Sequence, residues 1–212
     1  MPRRRNGSRP RTHHNGRQRV AQEAARIMLD HGIRDYGVAK RKAAERLGVR
    51  DIGQLPRNTE IQNALVEYRR LFHGDRHTVR LRTLRQAALE ALRFFEPFSP
   101  RLVGAVLDGS ADDHSAVAIH VFADAPEELA LFLEERTIPF DMEQRRMRYT
   151  RDEEEDYPVY RFAAGDVNVD VTVFPAGAIR RAPLSPVDGR PMRRLDQRGL
   201  ETLLENDGPD PG

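Results

Sequence analysis

Asp112, Asp113, His120 and Asp170 are the residues of this chain whose types and spacing suit them to chemistry. Asp112 and Asp113 lie in "DGSADDHSA", a turn between two apolar runs, and Asp170 stands alone among hydrophobics in "VNVDVTVF". Carboxylates supply the oxygen ligands that Mg2+ requires, and a bound metal neutralises the charge that develops when a phosphoryl group is transferred. Asp112 and Asp113 stand four residues or fewer before Ala116. The imidazole of His120 can contact a phosphate or act as a base. Each also has a plain structural role: Asp is a common solvated turn residue, Asp170 can be an exposed sheet residue, and a histidine on a strand can be a partly buried hydrogen-bonding group.

Strands must position these groups. In Ala116–Phe122, Val117, Ile119 and Val121 alternate with Ala116, Ala118, His120 and Phe122. Side chains on a strand alternate between its two faces, so one set points toward a core and the other away from it. In Val167–Val173 the valines share one face, while Asn168, Asp170 and Thr172 share the other. The polar face of the later strand can therefore adjoin the face carrying Ala116, Ala118 and His120, making a surface with one acid and one histidine.

The rest of the chain reads as helices, then an α/β module. Residues 1–16 are poor in apolar side chains and are expected to be a disordered basic tail. Residues 17–96 carry four amphipathic patterns. The first runs from Arg17 to His31, the second is capped by Asp35, the third by Asn58 or Thr59, and the fourth by Asp75 and ended by Pro97. Residues 97–183 hold strands at Leu102–Leu107 and Ala116–Phe122, and a helix from Asp124 to about Glu135. An extended segment at Ile138–Tyr149 follows, and then Tyr157–Phe162 and Val167–Phe174 around the hairpin signal "AAGD". Residues 184–212 are loop, a short helix at Asp196–Glu205 and a frayed tail. The fold class is α+β: a helical N-terminal region followed by a mixed β-sheet with flanking helices.

Composition sets the outer bounds. Hydrophobic residues make up 39% of the 212 residues, charged residues 32%, and cysteine is absent, which removes disulfides and thiolate metal sites. No apolar run is long enough to span a membrane, and the first residues carry no apolar segment of a secretory leader, so a cytoplasmic protein without a membrane partner is expected. Residues 1–100 hold 22 Lys+Arg against 10 Asp+Glu, and residues 101–212 hold 13 against 23. A basic front half can attract phosphate backbones or an acidic partner. Only Lys40 and Lys42 among the 35 basic residues are lysines, a bias that GC-rich arginine codons also produce.

From the helix before residue 97 to the strand "VNVDVTVF", roughly residues 80–175, the chain resembles the nucleotidyltransferase superfamily, which has the fold of DNA polymerase beta. It is also similar to a bacterial group built this way, with the same basic "AKRKAAERLG" region in front. The resemblance implies an apolar strand ending in a Gly-Ser turn that contacts nucleotide phosphates, here Gly109 and Ser110. It implies two acids, one residue apart, opening the second strand, and a third acid on a later strand, here Asp170. Together these acids bind divalent metal, Mg2+. The paired acids fall on Ala116 and Ala118, and the loop before them is short, holding only "ADDHS". The implied protein is therefore a nucleotidyltransferase-like one, either catalytically degenerate or still able to transfer a nucleotidyl group. It binds a nucleotide or nucleic-acid end through Gly109, Ser110 and His120, with Asp170 as catalytic metal ligand and Asp112 or Asp113 recruited beside it.

Two other readings compete. One is a non-catalytic regulatory or nucleic-acid-binding protein that uses the old cleft or the basic helices. The other starts from "AARIMLDHGIRDYGVAKRKAAERLGV", which resembles the opening of tetracycline-repressor-like helix-turn-helix domains, with Arg41, Lys42 and Arg46 on phosphates. The continuation "RDIGQLPRNTE", broken by Gly53 and Pro56, does not begin a recognition helix. No GxGxxG, Walker loop, HExxH or GxSxG occurs.

Overall fold

The computed structural model describes residues 11–33, 35–49 and 55–206. The chain is α+β and divides into two compact units, Met1–Gly74 and Asp75–Gly212. Among the described residues, no helix is long and apolar enough to cross a membrane.

The first unit holds α1 (Arg11–His31), α2 (Tyr36–Arg46) and the opening of α3 (Asn58–Phe94). Val20, Ala24 and Ile27 of α1, Ala39 and Ala43 of α2, and Ile61 and Leu65 of α3 form its buried core. The small alanines on α1 and α2 let the helices pack closely, and the apolar stripe of each is satisfied only against the others. Asp35 caps α2 as its position before the apolar stripe predicts, its carboxylate accepting from the Val38 N–H at 2.7 Å. Asp35→Ala is expected to cost about 1 kcal/mol of this unit's stability, measured by urea unfolding of the full chain; an unchanged midpoint would show that the cap is dispensable.

Two expectations about these helices need correction. Helix α1 begins at Arg11, so residues 11–16 are helical rather than tail; residues 1–10 lie outside the described part. The third and fourth helices are one, because α3 runs through Asp75 without a break. A helical glycine such as Gly74 costs only about 1 kcal/mol relative to alanine, and the next proline is Pro97.

The second unit begins inside α3 and continues through β1 (Arg101–Val103), α4 (Gly104–Asp108), β2 (Val117–Ala123) and α5 (Glu127–Glu134). After these come β3 (Asp141–Arg148), β4 (Glu154–Ala164), β5 (Val167–Pro175), a 3-10 turn (Ala176–Arg180) and α6 (Gln197–Asn206). The strands form one mixed sheet in the order β1-β2-β5-β4-β3. Only the β2–β5 pair is parallel. The central position of β2 and β5 explains why both read as nearly continuous apolar runs.

The valine face of the sheet carries the main core. Val117, Ile119 and Val121 of β2 and Val169, Val171 and Val173 of β5 pack with Leu84, Ala88, Leu92 and Phe95 of α3, Leu129 and Leu133 of α5, and Leu200 of α6. Each fully buried side chain of this size contributes about 1.5–3 kcal/mol of apolar burial. This core is why the unit reaches beyond residues 97–183. It takes in the second half of α3, and Leu195 pairs with Leu102 to bring α6 alongside β1. The opposite face has a smaller cluster of Phe122, Met147, Tyr149, Tyr157 and Phe174.

The expected strand Leu102–Leu107 stops at Val103, and a short helix follows. Gly104 has φ +73, a left-handed conformation that ends the extended run. Val106 and Leu107 still reach the core, from α4. A short apolar run by itself does not distinguish strand from buried helix.

Candidate functional site

The parallel register of β2 and β5 sets Ala118 beside Asp170, and the β4–β5 hairpin sets Arg161 on the other side of it. The hairpin turns at Gly165-Asp166, with Gly165 at φ +60. Arg145, on β3, reaches across β4 to the same carboxylate. The face expected from strand alternation is therefore present, with Ala118, Asp170 and Arg161 forming a row across it. Gly104 lies under the near end of this row; a Cβ there would stand 3.8 Å from the Ala118 Cβ.

Asp170 is only 8% exposed. Arg145 Nη2 donates to its Oδ2 at 2.7 Å, and Arg161 Nε stands 3.4 Å from its Oδ1. Arg161 also donates through Nη1 to Glu143 Oε1 on β3, at 2.5 Å. The carboxylate is thus neutralised by two guanidiniums. Sequence reasoning identified the acid and missed both of its partners.

His120 is 1% exposed and belongs to a second cluster on the same face. Its Nδ1 accepts from Arg194 Nε at 3.1 Å. Because arginine only donates, the other ring nitrogen carries the proton. Burial first, then the charges of Arg194 and Arg145, hold the imidazole pKa well below the ordinary histidine range, so it is neutral. The ring leans on Phe174, with centroids 4.6 Å apart. The Arg194 guanidinium covers Phe122 and Phe174, and its Nη1 donates to the carbonyls of Ala178, Ile179 and Arg181. Arg194 therefore fastens the segment after β5 over this end of the sheet.

The Gly109-Ser110 pair ends a helix rather than a strand. Gly109 is the left-handed cap of α4, and the Ser110 N–H donates to Ala105 O at 2.9 Å. Ser110 is buried, and His77 Nε2 lies 3.2 Å from the Gly109 carbonyl. Arg85 donates to the carbonyls of Val106 and Leu107, holding the same helix end from α3. The glycine that directly follows the first strand is Gly104, and the residue after it is Ala105.

Asp112 closes its own loop: Oδ1 accepts from the His114 N–H at 3.0 Å and from Ser115 Oγ at 2.7 Å. Asp113 is exposed, with its carbonyl 3.4 Å from Arg80 Nη2. Among the described residues, no three His, Asp or Glu side chains gather as metal ligands. Asp170 already accepts from one guanidinium and is paired with a second, and Asp112 accepts within its turn. This donor set does not fit Mg2+, which needs several oxygen ligands in near-octahedral array.

On the helical unit, Arg46 is paired with Glu23 at 3.3 Å, and Arg17 with Glu60 at 2.9 Å. The next described helix after α2 begins at Asn58.

The chain matches no protein-family model, no curated protein and no solved structure among those with which it was compared.

Proposed function

We propose that this chain is a degenerate nucleotidyltransferase-like protein of the cytoplasm, one that binds a nucleotide or a nucleic-acid end without metal-dependent transfer. One observation carries the reading. The isolated acid on the later strand, Asp170, lies next to Ala118 and is neutralised by Arg145 and Arg161. In the superfamily this chain resembles, that neighbourhood is acidic and gathers metal. Here guanidiniums occupy the role of counter-charge, and two arginines offer a metal-free way to meet a phosphate. If the glycine following the first strand is taken as the family's turn, Gly104-Ala105 fills it, and the serine position also carries alanine.

The test is a melting-temperature scan with each nucleoside triphosphate and with 5′-phosphorylated oligonucleotides, in Mg2+ and in EDTA. A ligand that binds only the folded state stabilises it by RT ln(1 + [L]/Kd), about 2.7 kcal/mol at a hundredfold excess over Kd. The expected result is a rise of the same size with and without Mg2+, and no nucleotidyl transfer to any acceptor. A rise that requires Mg2+, or none with any ligand at millimolar concentration, would overturn the reading.

A further inference from the structure

Four buried side-chain nitrogen or oxygen atoms make no hydrogen bond among the described residues, and three of them lie on or against the polar face of the sheet: Thr172 Oγ1 on β5, Arg194 Nη2 over Phe122 and Phe174, and Arg161 Nε, which is ion-paired with Asp170 Oδ1 at 3.4 Å. All three can donate. Buried polar groups are rarely left unpaired, because each costs the desolvation that a partner would offset. Of these, the Thr172 hydroxyl lies beside Asp170 with no hydrogen-bond partner among the described residues and calls for one there. Thr172 is 1% exposed and sits two residues beyond Asp170 on the same side of β5, in register with His120 on one side and Val159 on the other. Beside this row the sheet surface is low: Gly104, Ala116 and Ala118 are only half-buried and carry at most a methyl group. Arg145 and Arg161 border it, with about a third of each side chain in solvent.

We propose that this low floor beside Asp170 receives a terminal phosphate group, gripped by the guanidiniums of Arg145 and Arg161 and by the Thr172 hydroxyl. The inference rests on the nucleotide-or-end reading and adds the chemistry of the contact. Arginine's planar fork pairs bidentately with phosphate. Arg145 contributes one nitrogen to Asp170, and Arg161 divides its fork between Asp170 and Glu143. Both guanidiniums therefore have donors to turn toward an incoming oxyanion. Glu143, on the exposed edge strand, competes for Arg161 alone. The same chemistry would serve a free phosphate, the last phosphate of a nucleotide or the 5′ end of a strand.

Equilibrium binding in EDTA would distinguish these sources. The probes are inorganic phosphate, a nucleoside triphosphate, and one oligonucleotide with either a 5′-phosphate or a 5′-hydroxyl, each tested on the full chain, Arg161→Gln and Thr172→Val. Thr172→Val keeps the shape and removes only the hydroxyl, so it tests the site even if Arg161→Gln folds poorly. The expected result is binding of phosphate-bearing probes without metal, weakened roughly tenfold or more by Arg161→Gln and several-fold by Thr172→Val. The 5′-hydroxyl oligonucleotide should bind more weakly than its phosphorylated twin. Variants that bind every probe as the parent does would overturn the proposal, as would a parent that binds none of them in EDTA. Nucleotide binding in EDTA that ignores both substitutions would overturn this site and leave metal-free nucleotide recognition standing. Variant-sensitive binding of inorganic phosphate, with no binding of nucleotide or strand end, would support the site and refute the nucleotide reading.

Discussion

Asp170→Ala is expected to destabilise the sheet unit by about 2–4 kcal/mol. Removing one member of a buried ion pair costs about 3–5 kcal/mol, because the partner's charge is left uncompensated. The side chain of Asp170 is 11% exposed, while those of Arg145 and Arg161 are 32% and 39% exposed. The orphaned guanidiniums can thus recover part of their hydration, which lowers the loss from the full buried-pair value. Asp170→Asn should lose less, since its amide oxygen still accepts from Arg145. Combining Asp170→Leu with Arg145→Met should recover part of the loss, because an apolar pair has no charge to desolvate. Chemical unfolding followed by circular dichroism reads all three. An Asp170→Ala protein as stable as the parent would mean that the two arginines do not depend on this carboxylate, and the site described above would lose its centre.

Acid should weaken the fold through His120. In the folded chain the imidazole is buried and neutral; in the unfolded chain it takes a proton with an ordinary pKa near 6.5. Below that pH the unfolded state binds more protons than the folded state, so stability rises with pH. The His120 contribution is fully present above about pH 6.5 and declines below it, by at most about 1.4 kcal/mol per pH unit. Among the described residues, no acid contributes to the ring's shift in the direction that would reverse the sign. Its neighbours are Arg194 at Nδ1, Arg101 across the β1–β2 pair, Thr172 across the β2–β5 pair, Phe174 against the ring, and the more distant charge of Arg145. His120→Gln keeps an acceptor for Arg194 and cannot titrate. Urea unfolding at pH 7.5 and pH 5 should give a smaller difference between the two pH values for this variant than for the parent. An equal difference would assign the acid sensitivity to other groups.

Several parts of the site could be read from local rules. Strand alternation is set within a few residues, so the division of β2 and β5 into a valine face and a face with Ala118, His120, Asp170 and Thr172 needed no tertiary information. Arg161 was within reach too. A two-residue turn at Gly165-Asp166 pairs Ala164 with Val167, and counting back along both strands brings Arg161 opposite Asp170. The Asp35 cap follows from one side chain and the backbone three residues on.

Other features depended on which distant segments meet. Arg145 reaches Asp170 only because β3 joins the far side of β4, in a register that its own polar sequence does not impose. Arg194 lies 74 residues from His120, and nothing near either residue specifies the contact. The apolar stretch Leu102–Leu107 satisfies the core equally as strand or helix, so its local pattern left the choice open; in the fold Gly104 turns out of the strand beside Ala118, and Gly109 becomes a helix cap. Local rules alone located β2, β5 and most of the helical stretches, the two faces of those strands and the acid between them, because propensity, periodicity and capping act over a few residues. Only the assembled sheet brought Arg145 to that acid, because β3 lies beyond β4 and its position is set by burial across the whole sheet rather than by a turn next to Asp170.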